Sequence, residues 1–235
     1  MLPIGHGKTK RKAKQKEKRM KKIKQGVNVP FNLQNSPVKY RGFSNKYCYQ
    51  TNIHNLIYKG ASFQNVKFQS SIITHCNYCN ANLIGVDFCH TNLKESKFKN
   101  ARLNNVVFFN CNLKNCDFNG ATFNNVTFIA TNISIANNLL LNETCLVLKS
   151  CPVIDMSERL YNNILALASY EKLFKPHILN VNKTKINMWM LHLLLLKTNE
   201  DDLSRSLYAL SKRRNKQNFY TLYSYRKFVD SYLQK

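Results

Sequence analysis

The chain has 235 residues, 44% of them hydrophobic, which is enough apolar material for a core and excludes disorder of the whole chain. Thirty-six Lys and Arg against 12 Asp and Glu give a formal net charge of +24, a balance that favours polyanionic partners. Seven glycines lack phosphate-loop spacing, and six histidines have no Cys or carboxylate companions suited to catalysis, so the sequence reads as non-enzymatic, with neither cofactor nor metal.

The positive charge is concentrated at the start. Residues 1–50 carry about +13, residues 51–135 about +4 and residues 136–235 about +7. Within residues 1–26, Lys8, Lys10, Arg11, Lys12, Lys14, Lys16, Lys18, Arg19, Lys21, Lys22 and Lys24 stand against one acid, Glu17. No apolar residue recurs there at helical spacing and the like charges repel, so this basic tail is expected to be disordered or a transient helix when alone. Such a run binds polyanions at low salt. Those eleven residues are therefore the expected contacts to an anionic partner, either nucleic acid or an anionic surface. A nuclear or nucleolar address and a purely solubilising tail are the alternatives.

Met1 to Gly7 holds no apolar run of the kind a secretory signal requires. The longest apolar run, 186–196, is broken by Asn187 and His192 and falls short of the roughly twenty residues of a membrane span. A cytoplasmic location without a membrane span is the expectation.

Residues 27–50 read as a linker containing Pro30, Pro37 and Gly42. The aromatics Phe31, Tyr40, Phe43, Tyr47 and Tyr49 suggest that it packs along the segment that follows. Interleaved with Lys39, Arg41 and Lys46, they are also of the kind that stacks and pairs with single-stranded nucleic acid.

From Thr51 to Ile135 an apolar residue returns every fifth position: Ile53, Tyr58, Phe63, Phe68, Ile73, Tyr78, Leu83, Phe88, and onward without a break to Phe128 and Ile133. A small or β-branched residue stands two before nearly every one. Five is neither the period of a helix nor that of a long strand, which points to a repeat architecture. Residues two apart on a strand share a face, so each pentad offers two inward residues, one outward residue between them and two left for a corner. A second period of twenty joins Val66, Val86, Val106 and Val126, each followed two later by Phe68, Phe88, Phe108 and Phe128. Residues repeating at twenty stack one coil apart, so four sides make a coil. Those eight residues are the expected core of the repeat, and Phe109 and Ile129 form an outward apolar patch that the C-terminal segment is expected to cover. Outward Asn105 and Asn125, and likewise Asn92, Asn112 and Asn132, are expected to stack into amide ladders.

The units Ala81-Asn82-Leu83, Thr91-Asn92-Leu93, Cys111-Asn112-Leu113 and Cys116-Asp117-Phe118 resemble the A-(D/N)-L-x-x signature of the pentapeptide-repeat family. The resemblance covers seventeen pentads, 85 of 235 residues. It implies a mainly β fold, a right-handed quadrilateral parallel β-helix, serving as a non-catalytic interaction scaffold. The family includes proteins that bind type II topoisomerases through an acidic, DNA-like surface and, in some, projecting loops. This repeat is mildly basic and has no loop insertion, so topoisomerase protection is the second reading, and delivery into host cells as a bacterial effector is the third. No motif names a protein partner or an oligomeric state.

Cys76, Cys111 and Cys116 occupy the small inward position, where a thiol acts as a small hydrophobe. The Cys76-Asn77-Tyr78-Cys79 spacing imitates half a zinc site, but its two thiols should face opposite ways. Beyond Asn137 the period of five is lost. Residues 139–148 are apolar enough to close the open end of the β-helix. Residues 136–235 are read as a helical cap or domain of four helices. The first opens with a capping box at Asp155-Met-Ser-Glu158 and reaches about Phe174, before Pro176. The second is capped by Thr184 and runs through Leu196. The third begins at Asn199, and the fourth carries Phe219, Leu222, Tyr223, Arg226, Val229 and Leu233.

Overall fold

The structure, a computed structural model, describes residues 32–35 and 38–234. Eleven short strands are β1 (Asn32–Gln34), β2 (Ser44–Tyr49), β3 (Asn52–His54), β4 (Ser62–Gln69), β5 (Ile72–Thr74), β6 (Asn82–Cys89), β7 (Arg102–Asn104), β8 (Val107–Phe109), β9 (Thr122–Asn124), β10 (Thr127–Ile129) and β11 (Leu146–Leu148). Their pairings are parallel and mostly twenty residues apart: Ile53 faces Ile73, Phe68 faces Phe88, Leu103 faces Phe123 and Phe108 faces Phe128. Single bridges joining Ile57, Asn77, Lys97, Asp117 and Asn137 supply the remaining side. The chain is therefore a four-sided parallel β-solenoid of about five turns, followed by helices.

The corners explain the asparagine content. Two residues after each central apolar residue, from Asn55 to Ala130, the backbone takes φ between +44° and +68°. Most side chains clash there, whereas glycine does not and asparagine tolerates it through local hydrogen bonding. Asn or Gly accordingly holds eleven of these sixteen corners.

Inside, the apolar residues form columns. Phe68, Phe88, Phe108 and Phe128 stack with centroid spacings of 5.4, 5.3 and 5.1 Å. Tyr58, Tyr78, Phe98 and Phe118 stack at 5.0, 4.9 and 4.9 Å. Val66, Val86, Val106 and Val126 are fully buried beside them. The small inward residue is often a hydroxyl or thiol because it can satisfy the backbone of the coil before it. Thr91 Oγ1 donates to the Phe68 carbonyl at 3.2 Å, Thr131 Oγ1 to Phe108 at 3.0 Å, and Cys116 Sγ to Leu93 at 3.0 Å. Burial pushes the Cys116 thiol up to about 12, so it remains a neutral donor.

The amide ladders are only partly formed. Asn125 donates to Asn105, and Asn55 to Asn35 at 2.6 Å. Asn92, Asn112 and Asn132 instead turn their side chains onto the backbone N–H groups of Lys94, Lys114 and Ser134 at 3.0–3.1 Å. A bond two residues on closes a local turn, and that competes with the bond to the next coil.

Segment 32–49, read as a linker, supplies β1 and β2 and extends the ladder by one coil. Its register slips on one side: Lys39 bridges Ile57, eighteen residues away, whereas Gln34 and Ser44 face His54 and Gln64, twenty away. The shortened path runs through Gly42 at φ +103°, where a Cβ would lie 1.9 Å from the Ser62 carbonyl oxygen. At the other end β11 pairs with β10, and Leu139, Cys145 and Val147 pack on the solenoid core.

Five helices follow: α1 (Glu158–Leu167), α2 (Glu171–Phe174), α3 (Met188–Leu195), α4 (Glu200–Lys212) and α5 (Leu222–Leu233). The first expected helix is broken in two, and its cap is Ser157, which accepts from Leu160 N–H at 3.2 Å; Asp155 is not the cap. The acid of the expected capping box is replaced by one from another helix, since Ser157 N–H donates to Glu200 Oε1 at 2.8 Å. α3 starts at the Asn187 cap, three residues after Thr184, because Thr184 is held in a turn by Asn182. Asn199 caps α4 as expected, accepting from Asp202 N–H at 2.9 Å.

The helices pack on the flank of the solenoid, whereas its C-terminal end is covered by the 136–148 stretch. Cys89, Val107 and Ile129, outward on β6, β8 and β10, share an apolar cluster with Leu160, Met190, Leu207 and Tyr225. Polar bonds fix the docking. Thr221 Oγ1 donates to Asn65 Oδ1 at 2.8 Å, Asn65 Nδ2 to the Asn218 carbonyl at 2.7 Å, and Leu222 N–H to Asp87 Oδ2 at 2.9 Å. Burial pushes the Asp87 carboxyl up to about 6 against the opposing pull of Lys67, the Leu222 N–H and Arg226.

α5 sits this close because residue 85 is glycine. A Cβ at Gly85 would lie 2.3 Å from the Tyr223 ring, whereas one at Gly60, with a similar φ, would meet nothing nearer than 3.9 Å. Gly60→Ala should cost about 1–2 kcal/mol from backbone strain alone. Gly85→Ala should add the displacement of Tyr223 and lower Tm by several degrees more. Equal shifts in thermal melts would show that α5 does not need the close approach.

Candidate polyanion-binding groove

The eleven basic residues of the tail, Lys8 to Lys24, lie outside the described residues. Phe109 is half-buried with its ring 6.0 Å from Trp189, and Ile129 is fully buried in the cluster shared with the helices. Among the described residues, no group of three or more His, Cys, Asp or Glu side chains is placed to hold a metal ion.

A basic surface not foreseen from the sequence lies on the helical side. α1 ends at Leu167, and Ser169 and Tyr170 lead into α2 with its Lys172. α4 ends at Lys212, after which Arg213 is extended and the chain runs through Arg214, Lys216 and Tyr220 to the Thr221 cap of α5. These two connections lie side by side. Between them is a cleft of about 720 Å³ lined by Tyr170, Glu171, Lys172, Arg214, Asn215 and Lys216, with Ser169 and Gln217. A second hollow of about 250 Å³, lined by Tyr47, Lys172, Lys175, Pro176, Gln217, Asn218 and Tyr220, shares Lys172 and Gln217 with the first. The two hollows adjoin at Lys172 and Gln217, and the second reaches β2 at Tyr47; together they are treated as one basic groove.

Four cations, Lys172, Lys175, Arg214 and Lys216, line this groove against the single carboxylate of Glu171. Lys172, Lys175 and Arg214 are exposed, and Lys216 Nζ lies 4.1 Å from the centre of the Tyr170 ring. Tyr47, stacked on Tyr49 at 6.3 Å, has its hydroxyl pushed upward by burial and by Tyr49, so it stays neutral. Cations interleaved with aromatic faces suit a phosphate chain whose bases stack. Of the linker aromatics, Tyr47 joins the groove, whereas Tyr40 and Phe43 pack on the solenoid core.

The acids on the open solenoid faces are largely neutralised. Glu95 pairs with His75 at 2.5 Å and Lys94 at 3.2 Å, and Asp117 pairs with Lys99 at 3.1 Å. The Lys94 and His75 contacts hold the Glu95 carboxyl below its usual range. Lys59, Lys97, Arg102 and Lys114 stay exposed nearby.

A four-sided parallel coil with an aromatic column and a polar corner every fifth residue defines a class of solenoid. The pentapeptide repeats family model matches eight copies across residues 61–100, 74–108 and 101–137, so residues 61–137 are a run of pentapeptide repeats. Similar solved structures include a pentapeptide repeat protein (Rfr23) from the cyanobacterium Cyanothece 51142, at 12% identity and a TM-score of 0.31, covering 56% of this chain and 98% of that one. A pentapeptide repeat protein of the Arabidopsis thaliana thylakoid lumen shares 20% identity, with a TM-score of 0.21, covering 40% of this chain and 64% of that one. QnrB1, a plasmid-mediated fluoroquinolone resistance protein, shares 14% identity, with a TM-score of 0.21, covering 46% of this chain and 74% of that one. No curated protein matches the chain by sequence. No helix among the described residues is long and apolar enough to cross a membrane.

Proposed function

We propose that the chain is a non-catalytic interaction scaffold that binds single-stranded nucleic acid, using the helical groove together with the basic N-terminal arm. The solenoid supplies a rigid body, and the helices on its flank position the groove. The observation that carries this reading is the convergence of Lys172, Lys175, Arg214 and Lys216 with Tyr170 and Tyr220 around two hollows that share Lys172 and Gln217. The mildly basic solenoid faces add to the field that draws a polyanion in. An acidic, DNA-like surface, which a topoisomerase-protecting protein would use, is the opposite of this charge pattern.

The groove is tested by replacing Lys172, Lys175, Arg214 and Lys216 together with Glu and measuring anisotropy of a labelled oligothymidylate. Reversing four phosphate-facing charges should weaken binding by about two orders of magnitude or more near 50 mM salt. The far-ultraviolet spectrum should be unchanged, because three of the four side chains are exposed. Unaltered affinity in a folded variant would remove the groove from the proposal.

A further inference from the structure

On the same flank, next to the Tyr47 end of the basic groove, β4, β6 and β8 present Lys67, Gln69, Cys89 and Phe109 outward, and residues 177–190 roof them. The space left between is a cleft of about 480 Å³, within the roughly 300–1,000 Å³ typical of small-molecule sites. Its walls are mainly apolar, with Phe109, Ile186, Met188 and Trp189 among them. Lys67 also lines it, yet this residue is only 2% exposed.

The surroundings of Lys67 leave its charge incompletely matched. Asp87, next to it on the ladder, is fully buried, and one carboxylate oxygen accepts the Leu222 N–H. Among the described residues Lys67 makes no ion pair within 4 Å, and no carboxylate lines the cleft. The Cys89 thiol beside it is pushed up to about 11 by burial, despite the opposing pull of Lys67, and is neutral. Burial and Lys67 hold the His90 ring below its ordinary range, so it adds no charge at neutral pH. Lys185 at the rim and His177 complete a lining that contains cations and neutral groups.

Lys67 and Arg226 share the one buried carboxylate of Asp87, and neither pairs with it within 4 Å, so a positive excess remains at the edge of an apolar cleft and suits an anion with an apolar body. We propose that this cleft binds a small apolar monocarboxylate, aliphatic or aromatic. Its carboxylate sits on Lys67 and its body lies among Phe109, Ile186 and Trp189. Inorganic phosphate fits poorly, because a strongly hydrated ion gains nothing from the apolar walls of Phe109, Ile186 and Trp189.

Trp189 is the only tryptophan in the chain and lines the cleft, so its fluorescence reports occupancy. The full chain is titrated with octanoate, octanamide and inorganic phosphate, with calorimetry in parallel. Octanoate should give a saturable response and bind about tenfold or more tighter than octanamide, the ratio expected for a hydrogen bond made to charge. Phosphate should neither respond nor compete. In Lys67→Met, octanoate should fall to the affinity of octanamide while octanamide keeps its own, which separates a lost charge from a lost fold. Equal affinity of acid and amide for the unaltered chain would overturn the proposal without reference to any variant. Competition by phosphate, or no saturable response by either method, would overturn it as well.

Discussion

Phe108→Asp is expected to unfold the solenoid, whereas Asn104→Asp leaves it intact. Phe108 is fully buried, stacked between Phe88 and Phe128 at 5.3 and 5.1 Å, with the edges of Phe98 and Phe118 at 6.5 and 6.3 Å. Removing such a ring costs about 3–5 kcal/mol through lost contacts and the cavity left behind. A carboxylate in its place has no partner in the column and adds several kcal/mol more. The sum is comparable to the whole stability of an ordinary domain, about 5–15 kcal/mol. Asn104 lies on the outer face, half-exposed, where its side-chain oxygen accepts from Asn105 Nδ2 at 2.6 Å. Aspartate keeps that acceptor, so a change within about 0.5 kcal/mol is expected. Equal melting temperatures for the two variants would contradict the inward and outward register.

The second large effect concerns residues 1–26. If about five of the eleven basic residues engage phosphates together, counterion release sets a log–log salt slope near −4.5 on duplex DNA and about −3.5 on a single strand. Contacts of this kind read the backbone, so sequence preference should be small. Deleting residues 1–26 should flatten the slope and weaken binding at low salt by orders of magnitude. The melting temperature should not change, because every described strand and helix lies beyond the deleted residues, the first ladder pair among the described residues being Asn32 with Asn52. Parallel melts and titrations of the two chains check both halves of this expectation.

The solenoid was legible because its period of five reports side-chain direction directly, and the spacing of twenty reports stacking. The first coil was harder to see. Leu33, Phe43 and Cys48 keep the beat, but the two-residue slip places Tyr40 on the core and leaves Val38 60% exposed. Local helix signals were read well where cap and first turn agreed, as at Asn199. They failed at Thr184, where Asn182 offered the threonine a competing turn. The groove was not legible at all. Residues 169–176 and 213–220 are some forty positions apart, and no local period records that packing brings them together. Lys67 was equally hidden, since an outward lysine on a repeat reads as exposed until the helices cover that face.

The most direct test of the scaffold reading compares the full chain, the 27–235 chain and the groove variant in electrophoretic shift assays. Each is run with single-stranded DNA at salt concentrations from roughly 50 to 300 mM, the range over which phosphate contacts fade. The full chain should bind tightest with the steepest salt dependence, and the arm deletion should lose most of that slope. The groove variant should lose affinity even with the arm present. Equal affinity and slope for all three chains would contradict nucleic-acid binding through arm and groove.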